Sequence, residues 1–173
     1  YIIRVPGILA GFLHRQLYVL QFRCMSSGVF LRRITRQFVV GIASGVLTSL
    51  TTVLVLSKIM NLSHAEYVTL LPKSITTAIG MGVSEELGGY VTITVAVIVV
   101  TGVLGNIFGE LICKIFRIKE PIAKGLALGS AAHAIGTAKA MEMGEIEGAM
   151  SSLSIAVAGI LTVVLSSVFA GFM

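Results

Sequence analysis

Charge is what this sequence has least of. Lys, Arg, Asp and Glu make up 12% of its 173 residues, about half the ~25% share of an ordinary soluble domain. Apolar residues fill 55% of positions and the mean hydropathy is +0.97. A soluble core of that composition would leave too little polar surface to face water, so the bilayer is the solvent the sequence implies. Aspartate is absent altogether, and a two-carboxylate active site would have to use glutamates in loops. Walker, GxSxG and HExxH motifs are missing as well. These absences argue against an enzyme and call for no cofactor. Two cysteines, Cys24 and Cys113, stand alone without a CxxC partner, which offers neither a disulfide framework nor metal-ligand spacing. The net charge of +5 does not point to nucleic acid, because the basic residues sit at the ends of apolar runs rather than on a helix face interleaved with aromatics.

Long uncharged runs are what the sequence has instead. A membrane span needs ~20 apolar residues without an unpaired charge. Three gaps between charges qualify: 21 residues from Gln37 to Ser57, 23 from Leu87 to Gly109 and 26 from Gly148 to Met173. They predict spanning helices at about 38–60, 89–112 and 149–172, with Gly41/Gly45 and Gly105/Gly109 at the spacing that lets helices approach backbone to backbone. Residues 1–37 carry six arginines and no acid; the first acidic residue is Glu66. Arg32, Arg33 and Arg36 abut the first span and place that side in the cytoplasm, and the cluster Lys114, Arg117, Lys119 and Lys124 belongs there too. An Arg-rich, acid-poor leader also describes a transit peptide, but Ile8–Leu13 and Leu17–Phe22 read as the remains of an apolar or interfacial helix. Because the chain begins at Tyr1 rather than Met, an N-terminal piece is expected to be missing. The expected organisation is a basic N-terminal segment, 1–37, followed by a membrane domain, 38–173.

Two apolar but interrupted stretches lie between the spans. One is 68–83, with Pro72 and Lys73 in its middle; the other is 125–141, with three glycines, His133 and Lys139. Irregular backbone survives in hydrocarbon only where it is buried in protein or lines a wet cavity. Aligning Lys73–Gly88 with His133–Gly148 gives six identities in 16: Ile75/Ile135, Thr77/Thr137, Ala78/Ala138, Met81/Met141, Glu85/Glu145 and Gly88/Gly148. Each stretch is followed by a long span, which makes two units of broken element plus helix. If the first broken element crossed fully, the basic clusters would lie on opposite faces. If it enters and returns, both stay inside. The second option makes each unit an odd number of crossings, so the two units run in opposite senses. The expected fold is thus an all-α polytopic bundle with two re-entrant elements in an inverted repeat, the arrangement of many secondary transporters.

A lysine at a helix centre in the membrane costs on the order of 2.5–3.5 kcal/mol on insertion scales, so Lys73 needs a reason. With Thr76 and Thr77 at i+3 and i+4 it forms a cationic, hydroxylic face suited to an anionic, oxygen-rich ligand. Snorkelling towards Glu66, Glu85 or Glu86 is the competing account. His133, with Gly136 and Thr137 at the same spacings, repeats the arrangement. A lone histidine is more often a satisfied polar group than a proton carrier. Here the repeat makes His133 a candidate for proton coupling, with Glu142 and Glu145 beside it in sequence; Glu142, Glu145 and Glu147 otherwise read as a solvated loop. Glu110 and His64 read as helix-end residues.

The segments LPKSITTAIGMGV (Leu71–Val83) and GLALGSAAHAIGTAKAMEMGEIEGAMSSL (Gly125–Leu153) resemble the LrgB/CidB family of bacterial membrane proteins, the antiholin-like proteins, which has a plastid branch that moves glycolate and glycerate. The resemblance covers about 40–173; Ala78 stands where the family has Pro. The substrate-binding residues expected from the two interrupted segments are Lys73, Ser74, Thr76, Thr77, His133, Gly136 and Thr137. The resemblance implies one of two functions. One is transport of a small carboxylate such as glycolate, glycerate or pyruvate. The other is regulation of murein hydrolase activity and lysis together with a small holin-like membrane protein of the LrgA/CidA type. The two broken elements favour transport, because a pore regulator has no need of Lys73 and His133 within them. The expected setting is the cell membrane, multi-pass, with a homo-oligomer in contact with lipid; the plastid inner envelope is the alternative.

Overall fold

The structure, a computed structural model, describes residues 28–173. It divides the chain into two units, Tyr1–Val39 and Val40–Met173. Of the first only the opening turns of a helix are described, so most of the expected basic segment 1–37, with Cys24, lies outside the described residues. Among the described residues six helices follow one another: α1 (Gly28–Ile59), α2 (His64–Leu70), α3 (Thr77–Glu86), α4 (Val91–Ile115), α5 (Pro121–Met143) and α6 (Glu145–Ala170). Three stretches are long and apolar enough to cross a membrane: Phe38–Ile59, Val91–Ile115 and Glu145–Ala170. They match the three uncharged gaps to within a few residues at each end. The span of α6 starts earlier than expected because Glu145 and Glu147 are tolerated in its first turn, where the positive end of the helix dipole favours acids.

The interrupted stretches are where the chain departs from straight helices. In the first, α2 begins with a capping box: the Ser63 side chain accepts the Glu66 backbone N–H and Glu66 accepts the Ser63 backbone N–H in return. These bonds to its charged form hold the Glu66 carboxyl below its ordinary pKa. The helix stops at Leu70: Leu71 still has helical geometry at φ −54°, ψ −48°, but Pro72 has no N–H with which to continue the ladder, and α3 starts only at Thr77. Thr94 on α4 ties both sides of this break together, its hydroxyl lying 3.0 Å from the Thr69 carbonyl and 2.7 Å from the Ser84 hydroxyl. Thr69 and Ser84 therefore lie side by side, and the chain between them goes out and comes back.

The second stretch is a single element by hydrogen bonding but not by shape. Ala132 (φ −130°, ψ 16°) and His133 (φ 41°, ψ −137°) have left the helical region. Gly136 sits against the Leu128 carbonyl, so close that a Cβ would lie 2.9 Å from it. Eight residues along a straight helix would separate the two by about 12 Å, so α5 is two arms folded on one another. Its neighbours on α4 give the same account. Gly109 faces Leu128 and Gly105 faces Ala132. Then Asn106 donates to the Ile135 carbonyl at 3.1 Å and Glu110 pairs with Lys139 at 3.5 Å. The first arm runs up α4 and the second runs back down it.

Small residues make this packing possible. A Cβ at Gly129 would strike Ser154 and Ser151 on α6, and one at Gly125 would strike the Glu147 carbonyl. The first arm is thus pressed against α6 on one side, while Gly41 and Gly45 of α1 face Leu126 and Ser130 on another. The glycine pairs singled out in the sequence are contact surfaces rather than a by-product of composition. Large apolar side chains instead point away from the packed interior, among them Val100, Ile107, Ile160 and Val164, as expected for faces turned to lipid.

Candidate functional site

Both breaks arrive at the middle of α4, from opposite ends. From the first, Gly80 packs on the Ile98 side chain. Lys73 shares a cavity of about 520 Å³ with Thr101, Leu104 and Gly105. From the second, Ala131 and Ala132 line the same cavity, and His133 packs on Gly102, where a Cβ would lie 2.8 Å from Cε1. Lys73 and the tip of α5, 60 residues apart in sequence, are thereby brought to one place.

Each candidate residue has a definite position. Lys73 is half-buried in the turn between α2 and α3 and donates to the Ser74 hydroxyl at 3.0 Å. It makes no ion pair with Glu66, Glu85 or Glu86 among the described residues. Ser74 is buried and lies 3.2 Å from the Ser49 hydroxyl of α1. Thr76 is the N-cap of α3 and Thr77 its first residue, so the expected helical face of Lys73, Thr76 and Thr77 does not form: the helix begins after the lysine, not before it. What the break supplies instead is a helix N-terminus close to a cation. The second arm of α5 starts in the same way just after His133, so each break is followed by a helix N-terminus carrying partial positive charge from unpaired N–H groups.

His133 is 2% exposed, and its Nε2 lies 2.9 Å from the Ile98 carbonyl. A carbonyl can only accept, so Nε2 is the protonated nitrogen there. The positive φ of His133 is one that side-chain-bearing residues rarely adopt, at a cost of order 1–3 kcal/mol. The fold accepts it at the point where the chain reverses. Thr137, one turn on, donates to the His133 carbonyl at 3.0 Å and lies 2.6 Å from the Ser151 hydroxyl of α6. Gly136 provides the close approach of the two arms.

Glu142 and Glu145 are not brought to this place. Glu142 pairs with Lys139 at 3.1 Å near the far end of the second arm, and Glu145 is exposed in the first turn of α6. Several polar residues that do join the framework escaped the sequence reading. Asn106, Ser151 and the buried trio Thr69, Ser84 and Thr94 are uncharged, so a search for gaps between charges passes over them. Ser151 alone was within reach, since it lies in the motif shared with the antiholin-like proteins.

An all-helical membrane protein whose two chain breaks meet beside a half-buried lysine is the class defined by this geometry. The comparisons with known proteins make it specific. The model of the LrgB-like family matches residues 12–172, and this chain belongs to that family. Over 136 residues, 79% of the chain, it is 41% identical to the antiholin-like protein LrgB of Bacillus mycoides (strain KBAB4) and to that of Bacillus cereus (strain B4264). The chain spans 59% of the length of these relatives. No solved structure matches it.

Proposed function

We propose that this protein acts in the cell membrane as an antiholin-like protein, restraining murein hydrolase activity and lysis together with a small holin-like membrane partner. The observation that supports this is the 41% identity to proteins named antiholin-like, within a family match reaching across both interrupted segments. The test is a strain lacking the gene, alone and complemented with the chain. Loss should raise murein hydrolase activity and autolysis, and complementation should lower both. Unaltered lysis in the deleted strain would refute the role.

A second reading, transport of a small carboxylate such as glycolate, glycerate or pyruvate, is favoured by one specific arrangement. Lys73 and the tip of α5 line one cavity against the middle of α4, and a carboxylate is the kind of group that such a cation attracts. In this reading α2–α3 and α5 are re-entrant elements of an inverted repeat, reaching the midplane from opposite faces. Lys73, Ser74, Thr76 and Thr77 bind from one side, and His133, Gly136 and Thr137 from the other. Uptake of labelled glycolate and pyruvate into proteoliposomes, with and without a proton gradient, tests it; no uptake of either under both conditions would reject it.

A further inference from the structure

A cavity of about 680 Å³ lies not at the junction of the breaks but at the far end of α4. Its wall holds five cations: Lys114, Arg117, Lys119, Lys124 and Lys139. The only carboxylates on it are Glu110 and Glu142. Glu110 is shared by Lys114 at 2.9 Å and Lys139 at 3.5 Å, and Glu142 pairs with Lys139 at 3.1 Å. Those two acids are therefore spent on two lysines. Arg117, Lys119 and Lys124 make no ion pair among the described residues. Three cations thus face one cavity without compensating charge, an arrangement stabilised by an anion from outside.

The shape says which kind of anion. The end of α4 closes with the Ile118 N–H on the Cys113 carbonyl at 2.9 Å, and Arg117 sits in the left-handed region at φ 54°, so its position is set by a defined turn and not by a loose tail. Lys124 is half-buried one turn into α5. Ile118 and Met143 add apolar wall, and Ile115 and Phe116, between the wall residues Lys114 and Arg117 in the chain, are 65% and 73% exposed. The opening is therefore cationic on the inside and greasy at the rim, at the end of a membrane span. A free phosphate has no use for such a rim; a phosphate carrying acyl chains does. Basic pockets between helices at the cytoplasmic surface are a recurrent way of holding acidic headgroups.

We propose that this cavity binds the phosphate of an anionic phospholipid headgroup, with Arg117 and Lys124 as its principal contacts and the acyl chains lying along Ile115 and Phe116. The cationic cavity is distinct from the Lys73 cavity, although Ile115 also lines the latter, and the proposal does not depend on either reading of the function.

The chain contains no tryptophan, which makes the test direct. Phe116→Trp introduces a single fluorophore at the exposed rim. The full chain is placed in phosphatidylcholine vesicles with rising fractions of either phosphatidylglycerol or phosphatidylcholine brominated high on the acyl chains. At equal mole fraction, brominated phosphatidylglycerol should quench with at least about threefold preference. Arg117→Gln with Lys124→Gln should abolish the preference, whereas the charge-matched pair Arg36→Gln with Lys58→Gln should keep it. Arg117→Lys with Lys124→Arg, which preserves charge and guards against a folding artefact, should keep it too. Equal quenching by the two lipids in the parent, or a preference that survives the Gln pair, would overturn the site. Millimolar sn-glycerol 3-phosphate is the last arm. If it removes the preference, the cavity takes free phosphate esters and the lipid assignment falls.

Discussion

At the residue scale, Lys73 and His133 occupy equivalent places in the two interrupted segments but live under different constraints. Lys73 has a neutral hydroxyl as its hydrogen-bond partner and an open cavity in front of it. Lys73→Met keeps the length and apolar stem and deletes the charge. The variant should insert at parental abundance and lose carboxylate uptake by tenfold or more. Unchanged uptake at equal abundance would make Lys73 a snorkelling residue. His133 is held by a backbone carbonyl, and the acids expected beside it, Glu142 and Glu145, stand elsewhere. Its unperturbed titration near pH 6.5 falls in the physiological range, so proton coupling through it predicts that His133→Gln flattens the pH profile of uptake. An unshifted profile would reduce the imidazole to a packing element that closes the Ile98 carbonyl. That Lys73 and His133 mark breaks was legible from Pro72, the glycines and the 60-residue offset. That they meet on α4 was not, because nothing in linear spacing says which span a break packs against.

At the scale of elements, the three spans could be read off the sequence since each is defined by the absence of charge, a local property. The reversal within α5 could not, because its cause is distributed: Gly136 against Leu128, Gly105 against Ala132 and Gly129 against α6 together. Gly129 is the most confined of these positions, with backbone and hydroxyl atoms of Ser151 and Ser154 in the way of any Cβ. Gly129→Ala should lower stability by about 1–3 kcal/mol, the usual cost of overpacking, read as a fall in thermal midpoint in detergent. Gly82, where a Cβ meets open space, is the matching control, and Gly82→Ala should leave the midpoint near the parental value. Equal midpoints for the two variants would mean that the first arm of α5 is not pressed against α6 as described.

At the scale of the whole molecule, the folded α5 carries a prediction for how the elements are directed relative to the bilayer. A single cysteine is introduced at Lys119, at Glu145 or at Glu85 in a background with Cys24→Ser and Cys113→Ser. Lys119 and Glu145 flank α5, so membrane-impermeant reagents should reach both from the same side, and should reach Glu85, at the other end of α4, from the opposite side. A straight α5 would put Lys119 and Glu145 on different sides, and labelling of that kind would remove the re-entrant arrangement together with the inverted repeat. The charge distribution bears on the first break instead: both basic clusters on one face would require an even number of crossings between Arg36 and Lys114.

The folded shape of α5 also bears on how such a chain is made. A straight helix in its place would require one of its ends, with either Lys119, Glu120 and Lys124 or Glu142, Glu145 and Glu147, to be carried through the hydrocarbon during synthesis. Each charge would meet a barrier of the order that opposes a lysine or an acid at a helix centre. In the re-entrant arrangement proposed above, a hairpin that dips in and returns would leave both clusters on one side of the membrane. Only its small-residue tip has to enter, with His133 as the one polar ring near the turn. The element can then be seated after α4 and before α6 without any help in moving charge across the membrane.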